Sequence, residues 1–189
     1  MKKKFMTTLS SVALAGLLTT SVITLSDVHH PTVAYAATTT NQKNALRKAK
    51  SYYKTMNMSK QGIYDQLTSE AGENFSEEDA QYAIDHLKVN YKKAALKKAK
   101  SYYKTMNMSK QGIYDQLTSE AGEKFTAEEA QYAVDNLKVD YNKAALKKAK
   151  TYQKTMAMST DAIYDQLTSE AGEKFTAEEA QYAIDNLDK

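Results

Sequence analysis

ALRKAKSYYKTMNMSKQGIYDQLTSEAGENFSEEDAQYAIDHLKVNYKKA, residues 45–94, is followed from residue 95 by nearly the same fifty residues again. Ala45-Leu46 returns as Ala95-Leu96 and as Ala145-Leu146 with no insertion. The first two copies differ at only nine positions: 47, 74, 76, 77, 79, 84, 86, 90 and 92. A period of this size signals an array of small supersecondary units, each partly buried against its neighbours. The repeats are therefore expected at 45–94, 95–144 and 145–189, the third stopping before the connector that joins the others. Residues 37–44 (ATTTNQKN) read as a flexible polar leader.

Each unit reads as three helices, and no segment alternates with the period of a strand. The first helix is expected over 45–56, with Leu46, Ala49, Tyr53 and Met56 on one face. Asn57 ends it, and Ser59 caps a second helix running to about residue 70, with Met58 and Ile63 as a hydrophobic staple. Gly72 stands where a helix favours a left-handed residue. The third helix opens on Ser76-Glu77-Glu78-Asp79, or on Thr126-Ala127-Glu128-Glu129, a capping box that sets acids at the positive end of the helix dipole. Ala80, Ala83, Ile84 and Leu87 form its inner stripe. The expected core is Ile63, Leu67, Phe75, Ile84 and Leu87, with Ile113, Leu117, Phe125, Val134 and Leu137 in the second copy. The stripe continues past Leu87 through Tyr91, Ala95, Ala99, Tyr102 and Met106, which predicts one helix running from unit to unit; the competing reading breaks it near Val89-Asn90. The fold class is all-α, a tandem array of three helix-turn-helix-like units.

Charge segregates within the unit. Arg47, Lys48, Lys50, Lys54 and Lys60 fall within residues 45–60 without an acid, whereas Asp65, Glu70, Glu73, Glu77, Glu78, Asp79 and Asp85 fall within residues 61–87 without a lysine or arginine. The same acids recur as Asp115, Glu120, Glu123, Glu128, Glu129 and Asp135, and as Asp165, Glu170, Glu173, Glu178, Glu179 and Asp185. Two readings follow: the acids match the basic helices and help the units stack, or they face a basic partner three times over. Thirteen of the fourteen tyrosines fall in the repeats. Tyr53 lies on the apolar stripe, while Tyr52, Tyr64 and Tyr82 lie beside it as rim packing or aromatic contacts.

Lys2, Lys3 and Lys4, an apolar run from Phe5 to Leu25 and the site Ala34-Tyr35-Ala36 form a secretory signal, with cleavage expected after Ala36. An uncleaved signal would be the one route to the membrane. Losing these residues takes the net charge from +3 to +1. An exported chain without cysteine fits a Gram-positive bacterium or its prophage, at the cell surface or outside the cell.

The chemistry available is narrow. Lacking cysteine, the chain has no disulfide, thiolate ligand or cysteine nucleophile. Glu77, Glu78 and Asp79 fan outward from a helix start, and His86 becomes Asn136 and Asn186 in the other copies, so no catalytic constellation recurs. The acids lack the ladder and central glycine of a calcium loop. No enzyme activity, metal, cofactor or small-molecule substrate is expected. A DNA reader would present the third helix N-terminus first, and here that end is acidic, so nucleic acid is not an expected partner.

IYDQLTSE at 63–70, Gly72, and Phe75 with EEDAQYAI at 77–84 resemble the repeat of the Ltp family. These are host cell surface-exposed lipoproteins, among them superinfection-exclusion proteins of temperate phages of lactic acid bacteria. The resemblance covers nearly all of residues 45–189. It implies a compact helix-turn-helix-like unit outside the membrane that stops DNA delivery by engaging a phage tape-measure protein. It also implies that the acids of the second and third helices are the contact surface. The lipid-bearing cysteine implied by the family name has no counterpart here. The alternative is a structural or wall-associated array whose charges hold its own units together.

Overall fold

The computed structural model describes residues 37–187. The expected signal peptide and its cleavage after Ala36 lie outside the described residues.

Within them the chain is helical throughout and contains no strand: α1 (Thr40–Met56), α2 (Lys60–Thr68), α3 (Glu77–His86), α4 (Tyr91–Met106), α5 (Lys110–Thr118), α6 (Ala127–Asn136), α7 (Tyr141–Met156), α8 (Thr160–Thr168) and α9 (Ala177–Asp185). Each successive trio closes on its own core. In the first, Ala45 and Ala49 of α1 meet Ala80, Ala83 and Ile84 of α3, and α2 inserts Ile63 and Leu67, which have no exposed surface. The alanines let the long helix and the third helix approach closely, while burying Ile63 or Leu67 contributes about 1.5–3 kcal/mol each. The second and third trios repeat this arrangement around Ile113 and Leu117, and around Ile163 and Leu167.

Helix starts follow their capping residues. Ser59, Ser109 and Ser159 accept from the backbone N–H three residues on. Thr126 and Thr176 form complete capping boxes with Glu129 and Glu179. In the first unit the shorter Asp79 carboxylate instead accepts from the Ser76 hydroxyl at 2.8 Å.

Five expectations are corrected. No helix runs from unit to unit: Leu87 turns extended (φ −81°, ψ 95°) to bury its side chain, and Asn90 starts α4 by accepting from the Lys93 N–H at 3.0 Å. A side chain that caps a new helix competes with continuing the old one. Residues 40–44 are not a flexible leader but the first turn of α1, capped by a Thr39–Gln42 box, and Thr38 Oγ1 lies 3.1 Å from the Tyr82 hydroxyl. The structural units accordingly begin about five residues before the 45–94 frame.

Gly72 is not left-handed; the positive-φ residues are Asn57, Asn107 and Ala157 after the first helices, and Asn74, Lys124 and Lys174 in the later turns. Gly72 is needed for space, because a Cβ there would stand 2.3 Å from the Gln66 carbonyl oxygen. Met56 is half exposed, so the apolar stripe of α1 ends at Tyr53. Finally, Phe125 and Phe175 are each 3 % exposed whereas Phe75 is only half-buried. The turn carrying Phe125 packs on the first unit, and the turn carrying Phe75 has no unit before it among the described residues.

Candidate functional site

Many of the acids singled out by the sequence are engaged inside the protein. Glu73 receives Lys48 Nζ at 2.8 Å and the Tyr52 hydroxyl at 2.5 Å, tying the turn after α2 to the long helix. Glu123 repeats this with Lys98 and Tyr102, and Glu173 with Lys148 and Tyr152. The hydrogen bond from Lys48, then that from Tyr52, holds the Glu73 carboxyl below its ordinary pKa. Burial, then the hydrogen bond to the carboxylate, pushes Tyr52 and Tyr152 up to about 12. Tyr102 rises for the same reasons. Tyr52 is therefore a structural clamp and not a free aromatic contact.

Other acids join unit to unit. Lys124 Nζ reaches Asp65 Oδ2 at 2.6 Å, and Lys174 Nζ reaches Asp115 Oδ2 at 2.6 Å. Burial works against ionising Asp65, but hydrogen bonds from Lys124 and Gln61 outweigh it and lower its pKa. The hydrogen bond to the aspartate raises Lys124 and Lys174 in turn. Beside the second bridge, the buried Ser109 hydroxyl donates to the Glu173 carbonyl at 2.5 Å. The incoming turn comes close at Gly62 and Gly112, where a Cβ would stand at ordinary van der Waals distance, 3.7 and 3.6 Å, from the carbonyls of Glu123 and Glu173.

Each joint has a second strand of contacts. The Tyr53 hydroxyl donates to the Asn90 carbonyl at 2.9 Å and its ring meets Tyr91 edge-on, and Tyr103 does the same with Asp140 and Tyr141. Burial lifts Tyr91 and Tyr141 to about 12, and their hydroxyls are enclosed without a hydrogen-bond partner. The sequence stripe assigned Tyr53 to the core of its own unit; the structure makes it a link that also packs on the core of the next.

The remaining acids line the outside. Asp79, Glu129 and Glu179 act at the helix starts. Asp85, Asp135 and Asp185 accept from glutamines one turn earlier, and Asp135 also pairs with Lys110 at 2.8 Å. Glu128 lies 2.6 Å from Lys92 yet keeps 80 % of its side chain exposed. Glu70, Glu77, Glu78, Glu120, Glu178 and Asp165 are exposed, and the Glu170 side chain is 94 % exposed. Sequence reasoning passed over Lys124, Lys174, Ser109 and the joint role of Tyr53. For the lysines and Tyr53 the signal lay in where the copies differ: Asn74 against Lys124 and Lys174, and Gln153 against Tyr53 and Tyr103; Ser109 is serine in every copy and carried none. Among the described residues no group of acids or histidines could hold a metal ion, and no helix is long and apolar enough to cross a membrane.

Three helical trios, each clamped by a Lys–Glu–Tyr bridge and joined at two successive interfaces by a lysine–aspartate bridge, define a tandem-repeat protein of linked three-helix modules. The sequence model of the family described as host cell surface-exposed lipoprotein, Ltp, matches residues 40–87, 90–137 and 140–187, and the chain belongs to that family. A similar solved structure is that of Ltp, a superinfection exclusion protein from the Streptococcus thermophilus temperate phage TP-J34. It is 49 % identical, with 53 % of this chain and 100 % of that one covered and a TM-score of 0.48. No curated protein matches the chain.

Proposed function

We propose that this protein works outside the membrane of a Gram-positive cell as a superinfection-exclusion factor. Its exposed acids hold a basic segment of an incoming phage protein, of the tape-measure kind, and so block DNA delivery. Support comes from its family, described as exposed on the host cell surface, and from its 49 % identity to a protein named for superinfection exclusion. The observation that carries the binding mode is the set of carboxylates left facing solvent once the internal bridges are made: Glu70, Glu77, Glu78, Glu120, Glu170 and Glu178. Three linked modules raise the effective concentration of each later contact, so repeated weak charge pairs sum to useful affinity. The lysine–aspartate bridges between units favour the structural-array reading in part, and the two uses draw on different acids except at Glu170, which also lies 3.8 Å from the bridge lysine Lys174.

The test is a sextuple variant with these six glutamates changed to glutamine, produced in a phage-sensitive host. Adsorption, DNA entry and plaque formation are scored against the wild type. Unchanged helicity with lost exclusion supports the proposal. Exclusion at the wild-type level with all six neutralised would sink it and leave the structural array in the lead.

A further inference from the structure

The third unit carries the same docking face that the first two use, and among the described residues nothing occupies it. In the joints, the turn after α5 or α8 seats a lysine on Asp65 or Asp115 and brings its carbonyl to the start of α2 or α5. Ser59 and Ser109 are 1 % exposed beneath those turns, and Ile84 and Val134 are 5 % and 4 % exposed. On the third unit the matching Ser159 and Asp165 are exposed and Ile184 is half-buried. The groove beside them holds about 420 Å³, against 260 and 300 Å³ where a neighbouring unit closes one side.

The sequence of this face departs from the other two in a consistent direction. Lys60 and Lys110 become Thr160, and Gln61 and Gln111 become Asp161. The face thus loses an ammonium and gains a carboxylate next to Asp165, which strengthens its attraction for an incoming lysine. Ala162 replaces Gly62 and Gly112; a methyl there would sit at ordinary van der Waals distance from the incoming carbonyl, 3.6 Å in the second joint, so the site stays open. The first unit's own turn cannot supply the cation. At the position of Lys124 and Lys174 it has Asn74, in the same left-handed conformation.

We propose that the α8–α9 face of the third unit is a docking site for a turn that presents a lysine directly before a phenylalanine. The turn comes from another protein, a second copy of this chain being excluded by Asn74. The occupant's chemistry is read from Lys124-Phe125 and Lys174-Phe175, which fill the equivalent faces within the chain. The proposal does not rest on the exclusion role or on the exposed glutamates.

The test converts the chain's own turn into the missing occupant. Protein lacking residues 1–36, the expected signal peptide, is isotope-labelled, and its amide spectra are compared from micromolar to millimolar concentration. Wild type should show no concentration dependence. Asn74→Lys should show progressive shifts at the Ala162 and Asp165 amides, with a rise in sedimentation coefficient, and adding Asp165→Asn should abolish both. Lys124 already occupies this turn at φ 54°, so the substitution suits the backbone. A silent Asn74→Lys variant would overturn the docking site. Equal association by wild type would overturn the exclusion of a second copy, and association that survives Asp165→Asn would overturn the lysine–aspartate chemistry.

Discussion

Phe75 and Phe125 occupy the same place in the same turn, preceded in each case by a left-handed residue and followed by a capping hydroxyl. Phe125 is 3 % exposed and Phe75 is half-buried. The turns themselves differ beside the ring only at Asn74 against Lys124 and Ser76 against Thr126, and Lys124 acts through the unit before it. What differs is a unit standing before it: the second unit's turn is clamped onto α2 by the Lys124–Asp65 bridge, and the first unit's turn has no such neighbour among the described residues. In a repeat array burial is a property of position, and identical side chains contribute unequally to stability.

The largest expected effect breaks or confirms this directly. Phe125→Ala should lower the unfolding free energy by about 3–5 kcal/mol, as for a fully buried ring. Phe75→Ala should cost clearly less, since part of its surface is already in water. Urea denaturation followed by circular dichroism measures both. Equal costs would mean that the preceding unit adds nothing to the burial of Phe125.

A control within the same turns should show no inequality. A Cβ on Gly72 or Gly122 would meet the Gln66 or Gln116 carbonyl oxygen at 2.3 or 2.4 Å, both contacts lying inside one unit. Gly72→Ala and Gly122→Ala should therefore each cost about 1–3 kcal/mol, as overpacking does, and should match one another. A large gap between them would show that the first unit's turn is already loosened.

Next in size comes the joint made by tyrosine. Tyr103→Gln, which copies the native Gln153, removes the hydrogen bond to the Asp140 carbonyl and the edge-on contact with Tyr141. The expected cost is about 1–2 kcal/mol. The cost should fall on the coupling between the second and third units, seen as separation of one thermal transition into two. A single unsplit transition would place the coupling elsewhere.

Three helices per unit, their caps and most of the core were legible in the sequence, because alanine spacing, Ser59 and the Thr126–Glu129 box act locally. What escaped was set by neighbours. The stripe through Leu87 and Tyr91 has helical spacing, yet Asn90 caps a new helix and Leu87 leaves the old one to reach the core. Gly72 stands where glycine is usual for a left-handed turn, but its role is room for the Gln66 carbonyl, and Asn74 supplies the left-handed residue. The acids form a block in the sequence, but only coordinates separate Glu73, bound to Lys48 and Tyr52, from the exposed Glu70 three positions earlier.

The smallest expected effect concerns the bridge that creates the contrast. Asp65 has its pKa lowered in the folded protein, since hydrogen bonds from Lys124 and Gln61 overcome the cost of burial. A carboxyl whose folded pKa lies below its unfolded value, about 3.9, adds stability above that value and loses it as the pH falls through the folded one. Lys124 is raised by the same contact, so its share is present below the ordinary lysine pKa and fades only as the pH climbs through the raised one. The bridge should thus hold across neutral pH and fail in acid below about pH 4. The side chains of Lys124 and Asp65 are 30 % and 37 % exposed, and solvent screening keeps the contribution of such a pair low. The measurement is the difference in urea midpoint between wild type and Asp65→Asn as a function of pH. Taking the difference cancels Glu73, which also has a lowered pKa but is present in both proteins. A positive difference at neutral pH, shrinking with added salt and vanishing in acid, is the expected result. A difference that persists unchanged below pH 4 would show that Asp65 acts by packing and not by charge, and the burial of Phe125 would then owe nothing to its lysine neighbour.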